Sequence, residues 1–161
     1  MTDLKNGIIE LFSHEIYIGM HYKTVIERLA MNVDVDTLNN SGKDYGYIFT
    51  KKTPLMGLKA AECRLFFSEL KLEEISFIVN PSFDEYIESI SRDKLTREFY
   101  YELVEKLFEG CIEYVNENLI PTKKVNVNSK RMDYFFDNFI MSIVMEQGNE
   151  TFSISMGRCN E

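Results

Sequence analysis

Few residues in this chain combine types and spacing that could do chemistry. The two histidines, His14 and His21, are seven positions apart around a predicted strand and turn, which fits no zinc-ligand spacing. Asp34 and Asp36 resemble the start of a calcium loop, but Asn39 stands where such a loop needs glycine. No phosphate-binding glycine loop, nucleophile elbow or Cys-x-x-Cys pair occurs. The sequence therefore predicts a protein that is not an enzyme and that has no metal site and no cofactor.

The most informative chemical pattern is a row of glutamates between Thr96 and Pro121. They recur every three or four residues, so at about 100° per residue they fill one helical sector of about 120°. Only one cation, Lys106, falls among them. The opposite sector is apolar, which predicts a helix that packs against the rest of the protein on that side. We call the glutamate row the acidic ridge: Glu98, Glu102, Glu105, Glu109, Glu113 and Glu117.

The acidic ridge has two interpretations. A solvated helix face usually mixes signs, because glutamates one turn apart repel each other whereas Glu–Lys pairs attract. The ridge is therefore either an ordinary exposed face or a surface for a basic partner, with Tyr100 and Tyr114 as further aromatic anchors. Its carboxylates would follow each other about 5–6 Å apart along the helix axis, broadly like phosphates on a nucleic acid strand. The second interpretation predicts that a basic protein, such as a nuclease toxin, contacts Glu98, Tyr101, Glu102, Glu105, Glu109 and Glu113.

The overall charge also favours a basic partner. The net charge is −8, and residues 81–161 carry −6 of it, from 15 acids and 9 bases. Such a surface repels phosphate backbones, which disfavours nucleic acid as a partner. No apolar run approaches the roughly 20 residues that span a bilayer, and the first residues do not resemble a signal peptide. We therefore expect a cytoplasmic protein without a membrane partner, and the odd number of cysteines, Cys63, Cys111 and Cys159, fits reduced and mostly buried thiols.

The apolar periodicity predicts an α+β fold in a single domain over residues 1–161. Antiparallel β-meanders are expected to be covered by a short N-terminal helix at about 20–31 and a long central helical region at about 83–118. Each half of the chain, 1–80 and 81–161, has the pattern of a helix followed by three strands, although no residue-level repeat links the halves.

Local signals place the elements within this fold. Ser82 and Glu85 have the spacing of a capping box at the start of the central helical region, which is expected to bend near 91–94. Asp137 and Asn138 suit a two-residue hairpin turn. The predicted strands are 45–50, 59–67, 72–80, 130–136, 139–146 and 151–156, with a hairpin or one bent strand at 8–18 and a polar loop at 32–44.

Residues 16–79 resemble a known module. Gly19-Met20, then Val25 and Leu29 one helical turn apart, and later a strand pair with Phe67, Leu72 and Ile75 form the pattern. This pattern is similar to the helix-plus-meander module of SmpA/OmlA-type lipoproteins and of β-lactamase inhibitor proteins. The resemblance implies a module that binds other proteins. Its lipoprotein cysteine and signal are missing here, and His21 stands where the family has a Thr or Ser helix cap.

Three functions follow from these patterns. A small acidic α+β protein without catalytic residues is similar in type to the bacterial immunity proteins that block toxins, and this is the leading prediction. The alternative is a small-molecule or peptide-binding domain with a pocket between the sheet and the loop at 32–44. An enzyme acting through carboxylates would need two or more acids that converge in a cleft. The oligomeric state stays open, although an edge strand near the C-terminus could pair with another copy.

Overall fold

The computed structural model describes residues 7–33, 45–146, 148 and 150–158. Within them, three helices and a 3₁₀ turn (Arg92–Lys94) accompany ten strands, so the predicted α+β class is confirmed. The helices are α1 (Tyr22–Leu29), α2 (Asp84–Ile87) and α3 (Arg97–Asn118). The strands are β1 (Ile8–Leu11), β2 (His14–Tyr17), β3 (Tyr45–Phe49), β4 (Thr53–Leu55), β5 (Leu58–Ser68), β6 (Lys71–Val79), β7 (Lys123–Asn128), β8 (Arg131–Phe135), β9 (Phe139–Met145) and β10 (Phe152–Arg158).

One antiparallel sheet runs through the molecule. Its strand order is β3-β5-β6-β10-β9-β8-β7, with β4 beside β5, while β1 and β2 form a separate hairpin. The last strand of each predicted meander, β6 and β10, pair at the centre, where Ser76 lies opposite Ser155. The two meanders are therefore joined edge to edge into a single surface. The turn at Asp137 and Asn138 connects β8 to β9 as predicted, closed by a hydrogen bond from the Phe136 N–H to the Phe139 carbonyl (2.9 Å).

The core lies on one face of this sheet. Cys63, Leu65 and Phe67 of β5 are buried there together with Ile75, Phe77 and Val79 of β6. We call this the covered face, because α1 and α3 pack on it. Tyr22 of α1 contacts the Phe67 ring edge-on at 5.0 Å, and α3 makes a similar ring contact with β10. The intervening side chains point to the opposite face, the open face, which no described helix covers.

The helices differ from their predicted bounds. α1 is shorter than predicted at 20–31, because its first turn is capped by His21, whose Nδ1 accepts a hydrogen bond from the Lys23 N–H at 3.2 Å. The central helical region is not continuous but divides into α2, the 3₁₀ turn and α3. The capping box is wrong, since Ser82 donates its N–H and hydroxyl to Asn80 Oδ1 (2.9 and 2.6 Å) and Phe83 is the N-cap of α2.

Tyr86 of α2 completes the sheet where β6 stops. Pro81 has no N–H, so β6 cannot continue as a partner for the start of β5. The Tyr86 hydroxyl takes over this role, because it donates to the Ala60 carbonyl (2.6 Å) and accepts from the Ala60 N–H (3.1 Å). Tyr134 is the opposite case: its hydroxyl is buried and has no hydrogen-bond partner among the described residues.

The two tyrosines give a matched pair of predictions. Tyr86→Phe leaves the amide and carbonyl of Ala60 without a partner, so we expect the free energy of unfolding to fall by about 1–3 kcal/mol. Tyr134→Phe removes an unpaired buried hydroxyl, so we expect no loss or a gain of up to about 1 kcal/mol. Urea unfolding of both variants beside the unchanged protein measures this. Equal losses from both variants would contradict the roles assigned to the hydroxyls.

Buried thiol and tyrosine hydroxyl groups make the stability of the protein fall at alkaline pH. Cys63 and Cys111 are buried, as predicted, while Cys159 lies outside the described residues. Burial raises the pKa of the Cys111 thiol to about 12, and burial also raises the pKa of the Tyr134 hydroxyl to about 12. The folded state therefore retains protons that the unfolded chain releases at lower pH. The stability from these groups is complete below pH ~8.5 and is lost as the pH rises toward 12.

We expect the free energy of unfolding to fall between pH 9 and pH 11, by up to about 1.4 kcal/mol per pH unit for each such group. Urea unfolding under reducing conditions at a series of pH values measures the slope. Cys111→Ala should lower stability at pH 7 but flatten the alkaline decline. An unchanged slope in that variant would show that Cys111 does not carry the effect.

Candidate protein-binding surface

The helix α3 holds the acidic ridge in a fixed orientation. It begins after Thr96, whose hydroxyl accepts a hydrogen bond from the Phe99 N–H (3.2 Å), and it ends at Asn118 before Pro121. Its buried side chains recur at intervals of four, three and four residues, so they lie on one side of the helix. They are Val104, Phe108, Cys111 and Val115.

Every glutamate of the acidic ridge is exposed. At about 100° per residue, the centre of the ridge lies about 150° around the helix from the centre of the buried side. The ridge therefore points away from the sheet. Within the part of the chain that the structure describes, no lysine or arginine nitrogen lies within 4.0 Å of a ridge carboxylate. Lys106 is exposed and pairs with none of them.

Tyr101 lies at the N-terminal end of the ridge beside Arg97. The Arg97 Nε donates to the Tyr101 hydroxyl at 2.7 Å, and the guanidinium lies 5.2 Å from the centre of the ring. Both residues line a cleft of roughly 610 Å³, which Tyr100 also lines. The remaining lining residues directly follow β6 or directly precede β10: Asn80, Pro81, Ser82, Glu150 and Thr151.

The predicted site residues are therefore only partly brought together. Tyr101 adjoins Glu98 and Glu102 at one end, whereas Glu113 lies about 18 Å further along the axis from Tyr101. Tyr114, predicted as a further anchor, packs against the hydrophobic core instead. The cleft is not predictable from local sequence patterns, because its walls come from segments that are distant in sequence.

The histidines, cysteines and acids of the described segments lie apart from one another or have structural roles. Among the described residues, no three His, Cys, Asp or Glu side chains lie close enough together to hold a metal ion. His21 caps α1, and His14 is exposed at the start of β2. Asp133 is the one buried acid of the described segments, and Arg131 neutralises it through contacts of 3.0 and 3.1 Å. The calcium-like Asp34 and Asp36 lie outside the described residues.

The pocket that was predicted beside the loop at 32–44 also lies largely outside the described residues. Of the helices that are described, none is both long enough and apolar enough to cross a membrane. Comparisons of the chain with family models, with curated proteins and with solved structures gave no match. The resemblance of residues 16–79 to the helix-plus-meander module therefore stays a prediction.

Proposed function

We propose that this protein is a non-catalytic protein-binding module, most specifically a cytosolic bacterial immunity protein. In this proposal, the acidic ridge covers the basic active-site cleft of a toxin, and a nuclease is the toxin class that fits it. One observation carries the proposal: six exposed glutamates without a described cation partner follow each other along a helix that is anchored on its other side.

The energetics of the ridge support a role in binding. Its members form five successive like-charge pairs at spacings of three or four residues. Each such pair costs a few tenths of a kcal/mol, so the ridge costs the free protein about 1–2 kcal/mol. Lysines at alternate positions would turn this cost into a gain. A concentration of negative charge at this cost fits a surface that meets a basic partner.

The length and rigidity of α3 suit the blocking of a cleft. From Glu98 to Glu117 the ridge is about 28 Å long, at about 1.5 Å per residue. Carboxylates spaced along it would pair with the cations that hold a nucleic acid backbone in a nuclease. Opposite charges would also speed the association of the two proteins. The cleft beside Tyr101 supplies an apolar place for an anchoring side chain of the partner.

An inhibition assay tests the proposal. The product of the gene directly upstream is purified, and its degradation of RNA and DNA is followed with and without an equimolar amount of this protein. We expect a complex and loss of the degradation. If the two proteins form no complex in calorimetry at micromolar concentrations, the immunity function is rejected for this pair.

The alternative function is a small-molecule or peptide-binding domain. The cleft beside Tyr101 favours it, because a volume of roughly 610 Å³ lies within the range of ligand pockets. A thermal-shift screen with a metabolite library, followed by a Tyr100→Ala variant, tests this function. A ligand whose stabilising effect is lost in that variant would support it, and a screen without any ligand would reject it.

A further inference from the structure

The open face of the sheet contains two hollows that share Arg64. The first, of roughly 430 Å³, is lined by Phe49, Arg64, Phe66, Glu74 and Ser76. The second, of roughly 570 Å³, is lined by Glu62, Arg64, Ile78, Asn80, Phe83, Glu146 and Thr151. The two hollows follow β6 from Glu74 to Asn80, over about 20 Å at about 3.3 Å per residue, and we call them together the groove.

The strand register shapes this groove. On one side, Arg64 lies opposite Ser76 and Phe66 lies opposite Glu74, so β5 presents large side chains. On the other side, β10 presents small residues: Ser153 opposite Ile78, Ser155 opposite Ser76 and Gly157 opposite Glu74. The wall formed by β5 is therefore high, and the side toward β10 is low and accessible.

The charges of the groove are unbalanced. Arg64 is already engaged, since its Nε lies 3.3 Å from Glu62 Oε1 and its guanidinium lies 4.9 Å from the centre of the Phe49 ring. Glu74 has no cation within 4.0 Å among the described residues, and Glu146 accepts only a hydrogen bond from the Ser153 hydroxyl (2.8 Å). Three glutamates and one arginine leave the groove with a net charge of −2.

The end of the groove at Glu74 has the chemistry of a cation site. The Phe66 ring is 44% exposed and lies next to the free carboxylate of Glu74 in the register. A lysine or arginine side chain gains from both groups at once, through a cation–π contact and an ion pair. A phosphate backbone would instead meet two uncompensated carboxylates.

We infer that this groove binds an extended basic segment of a partner protein, about six residues long, with a lysine or arginine placed between Phe66 and Glu74. A second cation of the segment would reach Glu146 at the other end. The groove lies on the face of the sheet opposite α3 and contains no ridge glutamate, so it is a second surface, which adjoins the cleft beside Tyr101 only at Asn80 and Thr151. If the groove bound no basic segment, the proposed function of the acidic ridge would be unaffected. If the ridge bound no toxin, the inference about the groove would likewise be unaffected.

A titration with a defined peptide tests the inference. The probe is an acetylated and amidated hexapeptide of alternating arginine and serine, added to the ¹⁵N-labelled full chain in 150 mM salt and followed by amide chemical shifts. We expect shift changes at residues 64–66 and 74–78. Phe66→Ala combined with Glu74→Gln should raise Kd about fivefold or more. The same peptide with glutamate in place of arginine should cause no shifts.

Two variants keep the test specific for the groove. Glu69→Gln removes an exposed acid from the turn after β5 and should leave Kd unchanged. Glu105→Gln, on the acidic ridge, should leave the shifts in the groove unchanged. Shifts confined to α3, equal affinity in the Phe66 and Glu74 double variant, or no shifts at millimolar peptide would each overturn the inference.

Discussion

Replacing Glu105 and Glu113 together by lysine is expected to make the free protein more stable and to weaken partner binding at least about 30-fold. Each lysine falls between two ridge glutamates, so four repulsive pairs become attractive ones. Each pair changes from a repulsion to an attraction of a few tenths of a kcal/mol, so the unfolding free energy rises by about 2–4 kcal/mol over the four pairs. The binding free energy becomes less favourable by about 1–3 kcal/mol for each charge reversal, because two cations would then face the basic surface of the partner.

A second double variant controls for net charge. Glu27→Lys and Glu88→Lys change the total charge by the same amount at exposed positions on α1 and after α2. We expect this variant to keep its affinity within about threefold, because long-range steering is largely screened at physiological salt. Calorimetry measures Kd, and thermal unfolding measures stability. Similar losses of affinity in both double variants would mean that overall charge, not the acidic ridge, drives binding.

Phe108→Ala is expected to cost about 3–5 kcal/mol of unfolding free energy, a large share of the 5–15 kcal/mol typical of a domain. The Phe108 side chain is 5% exposed and packs edge-on against the Phe152 ring at 5.6 Å. This contact joins α3 to β10, near the centre of the sheet. Its loss opens a cavity under the helix that carries the ridge.

Phe66→Ala is the matched control for Phe108→Ala. The Phe66 ring stands on the open face and is 44% exposed, so we expect a loss below about 1 kcal/mol. Urea unfolding of the two variants gives the difference. If Phe66→Ala were the more damaging substitution, the covered face would not be the main core of the protein.

Local alternation predicted the strands that are buried on one face only. The buried face of β5, with Cys63, Leu65 and Phe67, was predictable because a strand with one buried face must alternate, whereas the register shift between Phe66 and Phe67 was not. β7 was not predicted, because its lysines and asparagines have low strand propensity. It forms a polar edge strand that pairs with β8 alone. The pairing of β6 with β10 joins residues about 80 positions apart, and no local pattern reports such a contact.

The predicted capping box failed because a nearby side chain competes for the same hydrogen-bond donors. Ser82 has the right spacing to Glu85, but Asn80 offers its side-chain oxygen two residues earlier and captures both donors of Ser82. Short side chains that bond to the nearby backbone compete with helix caps in this way. Tyr86 could not be predicted either, because its role depends on where β6 ends.

The candidate site was predictable in one respect and not in others. A period of three to four residues was enough to place the ridge glutamates on the exposed side of α3, opposite Val104 and Phe108. Whether lysines from elsewhere in the chain would reach them depends on tertiary structure. The groove on the open face also depends on tertiary structure, because Phe66 and Glu74 become neighbours only through the pairing of β5 with β6.

Carboxyl footprinting tests whether the acidic ridge is the binding surface. The protein, alone and saturated with the upstream gene's product, is labelled with carbodiimide and glycine ethyl ester, and mass spectrometry measures the modification of each glutamate. We expect labelling of Glu102, Glu105 and Glu109 to fall severalfold in the complex, while Glu27 stays unchanged. Undiminished labelling of those three ridge residues in a saturated complex, with protection at Glu74 instead, would contradict the account.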